Sequence, residues 1–326
     1  MLHRPRILLV RLGSLGDVVH ALPAEASLKH SLPRAHLAWL IEPRWAPLVA
    51  GNPFVDELVL FDRSGLRNWI ELWRRLREAR FDTVIDFQGL IKSALPALMA
   101  RPERIFGFHS SQVRERAAAL AYSHRVLARS AHVVDRNLEL AAAAGASFSL
   151  KVFPLPEGRP EGNLPEGDFV LASPLGGWAA KQWPLDYYGD LARLLEQGPR
   201  LRLVLNAAPH QAAALASIRG VHVHVSGLEG LVYATRRATA VVGIDSGPLH
   251  LAAALGKPGV AIFGPTDPER NGPYGGSITV LRSPAARTSY KRRSWIDASM
   301  KAISPERVFE ELMARLALAA RRSEGA

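Results

Sequence analysis

Short apolar runs alternate with amphipathic stretches along this chain, and the pattern occurs twice, once on each side of a proline- and glycine-rich segment. Ile7–Val10, Leu37–Ile41, Leu58–Phe61 and Thr83–Phe87 read as buried strands, each bounded by turn-forming or charged residues. Between them Val18–Leu32 and Leu66–Ala79 carry apolar residues at helical spacing. Strand alternating with helix implies a parallel sheet with right-handed crossovers. Four prolines (154, 156, 160 and 165) and three glycines (158, 162 and 167) make a linker-like stretch around Pro154–Glu166. The alternation then restarts with Phe169–Ala172, Leu201–Leu205, Val221–Val225, Ala240–Ile244 and Val260–Phe263. A helix closes the chain: Ser304 suits an N-cap, Pro305 the first turn, and Val308, Phe309, Leu312, Met313 and Leu316 recur at helical spacing. The expectation is an α/β protein of two Rossmann-like domains, over 1–160 and 161–303, with parallel sheets facing across a cleft. The helix at about 304–322 is free to pack back on the first domain.

With 326 residues, 48% hydrophobic and 22% charged, the composition fits a soluble enzyme. No apolar run reaches the roughly 18 residues of a membrane-spanning helix. The start, Met1-Leu2-His3-Arg4-Pro5-Arg6, lacks a signal-peptide cleavage site, so a cytoplasmic location is the expectation. Zero cysteines exclude disulfides, thiolate metal sites and a cysteine nucleophile. Lysine and arginine outnumber acids 41 to 30, a formal charge of +11, which favours nucleic acid, an anionic membrane face or a phosphorylated substrate. No helix-turn-helix, zinc-finger or ribonucleoprotein motif occurs, so nucleic acid is not expected as a partner.

The first strand runs into Arg11-Leu12-Gly13-Ser14-Leu15-Gly16-Asp17, a strand-end loop of the kind that binds ligands in open α/β sheets. Its G-x-x-G-D spacing is neither a dinucleotide fingerprint nor a phosphate loop. Gly13 and Gly16 let another molecule approach the backbone. Asp17 at the helix start is either a cap or a functional carboxylate. In the second half, Asp245-Ser246-Gly247-Pro248-Leu249-His250 follows a strand and opens a helix, which makes a ready anion site or an ordinary cap. Lys181, just after Gly176-Gly177, is placed either to neutralise a phosphate or to lie in solvent. No D-x-D pattern is present, so a leaving diphosphate would be stabilised by Lys181 and helix N-termini rather than by a metal. No cofactor is expected.

Taken together, Gly16–Pro23, Asp86-Phe87-Gln88-Gly89-Leu90-Ile91-Lys92-Ser93-Ala94, Lys181-Gln182-Trp183-Pro184, Asp245–His250 and Phe263-Gly264-Pro265-Thr266-Asp267-Pro268 resemble the bacterial lipopolysaccharide heptosyltransferase family, glycosyltransferase family 9, and within it the first heptosyltransferase. The resemblance implies an inverting enzyme of GT-B architecture, working as a monomer at the cytoplasmic face of the inner membrane. It would move heptose from ADP-L-glycero-D-manno-heptose to a 3-deoxy-D-manno-octulosonic acid (Kdo) residue on lipid A. Asp17 would be the general base. Lys181 would hold the diphosphate, and Gly176, Gly177, Asp245, Ser246, Gly247 and His250 would bind the nucleotide sugar. Gly13, Ser14, Gly16, Arg63, Arg67, Gln88, Lys92 and Arg136 are the candidates for the acceptor. A GT-B enzyme with another nucleotide sugar, transferase or epimerase, is the alternative, and a nucleotide-dependent binding protein without catalysis is a third.

The chain departs from the family pattern in three places. Gly176-Gly177 stand where relatives often carry two threonines. The segment Asn206–Gln211 has no acidic residue after its strand. Ser289, Ser294 and Ser299 lie where many members carry cysteines. Finally, Leu66, Trp69, Ile70, Trp73 and Leu76 share one face of a basic helix, which suits either a membrane interface or a crossover helix packed on its own sheet.

Overall fold

The computed structural model describes residues 4–324 and divides into two compact units, Met1–Pro156 and Glu157–Ala326. Met1-Leu2-His3 of the N-terminal reading lie outside the described residues. The first unit holds strands β1 (Arg6–Val10), β2 (His36–Ile41), β3 (Glu57–Leu60), β4 (Thr83–Asp86), β5 (Arg104–Phe108) and β6 (His124–Val126). Its helices are α1 (Leu15–Val19), α2 (Leu22–Ser31), α3 (Leu66–Ala79), α4 (Ile91–Met99) and α5 (Val133–Ala143). The second unit holds β7 (Phe169–Ala172), β8 (Arg202–Ala207), β9 (Val221–Val225), β10 (Ala240–Ile244), β11 (Gly259–Phe263) and β12 (Ile278–Arg282). Its helices are α6 (Leu185–Gln197), α7 (Leu228–Arg237), α8 (Gly247–Ala254), α9 (Pro268–Asn271), α10 (Ala298–Lys301) and α11 (Pro305–Glu324).

Each sheet has six strands, and every pairing is parallel. The first runs β3-β2-β1-β4-β5-β6, the second β12-β11-β10-β7-β8-β9. Counted within each unit, both are the doubly wound order 3-2-1-4-5-6, the Rossmann-like arrangement of the GT-B architecture. The central strands are buried on both faces, which explains why they read as continuous apolar runs rather than alternating ones.

The structure corrects the sequence reading in three places. The helix expected over Val18–Leu32 is two helices, α1 and α2, broken at His20-Ala21, because Pro23 in the first turn of α2 has no N–H to continue the ladder. β5, β6 and β12 were not read as strands. β6 has three residues and β12 is an edge, so neither carries a long apolar signal. In β5 the apolar run is broken by Gly107, where a Cβ would run into the ring of Tyr122. Third, the terminal helix α11 packs on its own unit, against α6, β11 and β12, and Val308 and Leu312 enter the core that also holds Trp183 and Tyr188.

Candidate active site

In a doubly wound sheet the crevice opens where successive crossovers leave in opposite directions, outside the carboxyl ends of the strands. In the first unit that point lies between β1 and β4. β1 leads into Arg11–Asp17 and β4 into Phe87–Lys92, so two segments quoted from separate parts of the sequence become neighbours. They are stitched together. Arg11 donates from Nη1 to the Phe87 carbonyl, Leu12 donates its N–H to Gln88 Oε1 at 2.8 Å, and Phe87 N–H reaches the Val10 carbonyl at 3.2 Å.

Asp17 stands at the centre of this junction. Its Oδ1 pairs with Arg11 Nη2 at 2.5 Å, and its Oδ2 accepts from Ser14 N–H at 3.0 Å and Ser14 Oγ–H at 2.9 Å. The Asp17 side chain is 44% exposed while that of Arg11 is 8% exposed. A fixed carboxylate with an open side results. A carboxylate offers about four acceptor sites, so another proton donor can still be received. Asp17 thus sits at the third position of α1, with its carboxylate bonded back to the N-cap Ser14 and its side chain half-exposed.

The motif after β4 is anchored from below. Asp86 is fully buried and accepts from Tyr122 Oη–H at 2.6 Å, Ser93 Oγ–H at 2.8 Å and the Gln88 and Gly89 N–H groups at 2.8 and 3.3 Å. Burial outweighs those bonds and raises its carboxyl above the ordinary range. Asp86 thus holds the turn that presents Gln88 and Lys92.

Cations gather around the same edge. Arg63 donates to Glu42 Oε1 at 2.8 Å and Arg44 to Glu42 Oε2 at 2.8 Å, so Glu42 after β2 ties two arginines together. Burial first, and then the charges of Arg63, Arg44 and Arg11, pull Lys92 below the usual lysine value, with Glu42 opposing. Arg63, Lys92, Arg11 and Arg44 are thus one cluster, suited to a polyanionic ligand. Gly13 carries a positive φ of +152°, and any Cβ there would collide with the Trp45 indole, whose buried Nε1 has no hydrogen-bond partner among the described residues. The structure does not bring Arg67 into this cluster: its side chain is 90% exposed and pairs with Glu71 one helical turn on. Arg136 lies in the first turn of α5, donating to the Ser130 carbonyl at 2.8 Å.

The second unit repeats the logic between β7 and β10. The loop after β7 carries Gly176, Gly177 and, in a short 3-10 turn, Lys181; the loop after β10 carries Asp245 and Ser246. Lys181 Nζ donates to Asp245 Oδ2 at 2.6 Å, with side chains 18% and 5% exposed. His250 Nε2 lies 3.6 Å from Asp245 Oδ1. Burial alone would raise the Asp245 carboxyl, but the hydrogen bond to His250 and the Lys181 charge outweigh it and hold it well below the usual range. Ser246 is the N-cap of α8, and its buried Oγ makes no hydrogen bond among the described residues. Gly177 faces open space, whereas a Cβ on Gly176 would press on Ile244. After β8's core residues, Asn206 is buried and accepts from Ser226 Oγ–H at 2.9 Å.

Sequence reasoning missed several residues here. Glu42, Arg44 and Trp45 belong to no motif. Trp178 has Lys181 4.5 Å and Arg292 5.3 Å from its ring centre, and nothing in the local pattern marks Arg292, 111 positions beyond Lys181.

The chain is similar to known proteins over most of its length. The family model for glycosyltransferase family 9 (heptosyltransferase) matches residues 69–297. The lipopolysaccharide heptosyltransferase 1 of Pseudomonas aeruginosa is 32% identical over 303 residues, covering 85% of this chain and 84% of its own. That of Escherichia coli K12 is 28% identical, covering 86% and 94%. Among solved structures, the E. coli heptosyltransferase WaaC with ADP superposes with a TM-score of 0.76 at 26% identity, covering 95% of this chain and 99% of WaaC. Two doubly wound units, a positioned carboxylate on one and a buried lysine–aspartate pair on the other, are found in a chain that belongs to glycosyltransferase family 9 and is a glycosyltransferase.

Proposed function

We propose that the chain transfers L-glycero-D-manno-heptose from ADP-heptose to a Kdo residue of Kdo-lipid A, with inversion and without a metal, at the cytoplasmic face of the inner membrane. The donor reading is supported by relatives described as heptosyltransferase 1 and by the WaaC structure with ADP-2-deoxy-2-fluoro heptose, 27% identical with a TM-score of 0.70. Among the described residues no helix is long and apolar enough to cross a membrane.

Asp17 is the general base. It takes the proton of the Kdo hydroxyl as that oxygen attacks the anomeric carbon of the heptose, and ADP leaves from the opposite side. Arg11 and Ser14 hold the carboxylate in place. Gly13 and Gly16 leave room for the acceptor, and Arg63, Lys92, Gln88 and Arg136 meet its carboxylates and phosphates. On the second unit Lys181, with Gly176 and Gly177 beside it, stabilises the departing diphosphate. Ser246, Gly247 and the first N–H groups of α8 add donors, while Asp245 and His250 orient Lys181 and the nucleotide sugar.

The observation that carries the reading is the half-exposed Asp17 carboxylate, fixed by Arg11 and Ser14 beside the Arg63–Lys92 cations. Asp17→Asn keeps the shape and removes the base. With ADP-heptose and a deacylated Kdo acceptor, turnover should fall about 10²–10⁴-fold. Near-normal turnover by that variant refutes the base. Turnover that persists in excess EDTA is expected, and its complete loss refutes metal independence.

A further inference from the structure

α3, α4 and the 3-10 turn Arg116–Ala121 form the layer that covers one face of the first sheet. Leu72 and Leu76 of α3, Ala94 and Ala97 of α4, and Ala118 and Ala119 of the turn all enter one core with Leu8, Val10 and Val84 of the strands. The outward side of such a covering layer is ordinarily polar, because only its inward stripe is buried. Here it is not. The outward stripe of α4 is Ile91, Leu95 and Leu98, 48%, 42% and 49% exposed and spaced i, i+4, i+7. α3 repeats the spacing with Leu66, Ile70 and Trp73, at 75%, 42% and 48%, and Leu120 on the turn is 78% exposed. These are seven of the fourteen large exposed hydrophobic side chains among the described residues, all on one layer.

The charge beside the stripe is positive. Arg74 and Arg77 of α3 are exposed and have no ion pair among the described residues, and Arg101, Arg114 and Arg116 border α4 and the turn. The acids are partly committed: Glu71 pairs with Arg67, and a Glu115 carboxylate oxygen accepts the Ile91 N–H at 2.7 Å.

We propose that this outer layer is a docking surface for a lipid bilayer bearing anionic headgroups. Trp73, Leu95 and Leu98 enter the interface while the arginines meet phosphates. A second copy of the chain is the poorer occupant, since a two-fold interface would set these arginines against one another. The proposal gives the lipid-linked acceptor reading a means of access and rests on it for its purpose, but not for the binding itself.

The test is co-sedimentation of the full chain with phosphatidylethanolamine vesicles, with and without phosphatidylglycerol. The wild-type chain should pellet with the anionic vesicles and be released by salt. Leu95→Ser/Leu98→Ser should weaken partitioning about 10-fold or more, and Arg74→Glu/Arg77→Glu should abolish the preference for phosphatidylglycerol. Both variants should keep wild-type turnover on a deacylated, water-soluble acceptor, which shows that they are folded. Failure of the wild-type chain to bind anionic vesicles, or equal binding by the variants, overturns the proposal. So does a wild-type dimer in sedimentation velocity that Leu95→Ser/Leu98→Ser dissociates. Absence of turnover on the soluble acceptor by the wild-type chain refutes the transferase reading instead, whatever the vesicles show.

Discussion

Removing the charge of Asp245 tests whether the second unit holds Lys181 by an ion pair or merely beside one. The two groups are 2.6 Å apart. At an effective dielectric constant of about 20 their attraction is roughly 6 kcal/mol, most of it offset by the cost of taking both charges out of water. Deleting one partner forfeits the attraction and leaves the other charge stranded, which costs about 3–5 kcal/mol for a buried pair. Lys181 keeps 18% of its side-chain exposure, so the lower end applies and about 3 kcal/mol is expected for Asp245→Asn. At roughly 2–4 °C per kcal/mol for a unit of this size, Tm should drop by about 6–12 °C. Calorimetry on Asp245→Asn, Lys181→Met and the double variant gives the cycle, and the double variant should lose far less than the two singles added. The contribution also depends on pH in a fixed direction. The folded carboxyl lies below its unfolded value of about 3.9, so the stability is complete above that value and is lost as pH falls toward the folded one. Strictly additive single effects below about 1 kcal/mol would refute the coupling.

Other expectations concern the first unit. Glu25 on α2 is fully buried beside Asn52, and burial, only partly opposed by that hydrogen bond, pushes its pKa up to about 8. A raised folded value means stability falls as pH rises from about 4.5 to 8, by an amount on the order of 5 kcal/mol. Glu25→Gln should therefore flatten the dependence of Tm on pH and be the more stable protein at pH 9. Arg11→Met should cut kcat by up to about 10²-fold, the effect of letting a reacting group slip by about 1 Å, with little change in the KM for donor in steady-state kinetics. Gly13→Ala, strained at φ +152° and pressed into Trp45, should lose at least about 1–3 kcal/mol in urea unfolding.

Strand and helix alternation was legible in the sequence, because hydrophobic period and turn residues are local properties. Ile7–Val10 and Ala240–Ile244 could be little else than buried strands, and both lead into loops of Gly, Ser and Asp. Local pattern left Asp17 and Asp245 undecided between cap and functional group. Strand order settled their surroundings: β4 beside β1 brings Phe87 and Gln88 to Arg11 and Leu12 across 76 positions, and β10 beside β7 brings Asp245 to Lys181 across 64. Such adjacency depends on which crossover is taken, and no window of sequence encodes that. For the same reason Glu42 was overlooked although it joins Arg63 to Arg44, and Arg67 was expected among the acceptor residues although a turn of α3 carries it into solvent. On α3 the sequence marked one apolar face where packing made two. Leu72 and Leu76 hold the sheet, while Leu66, Ile70 and Trp73 stay outside, because a helix on a sheet buries only a stripe.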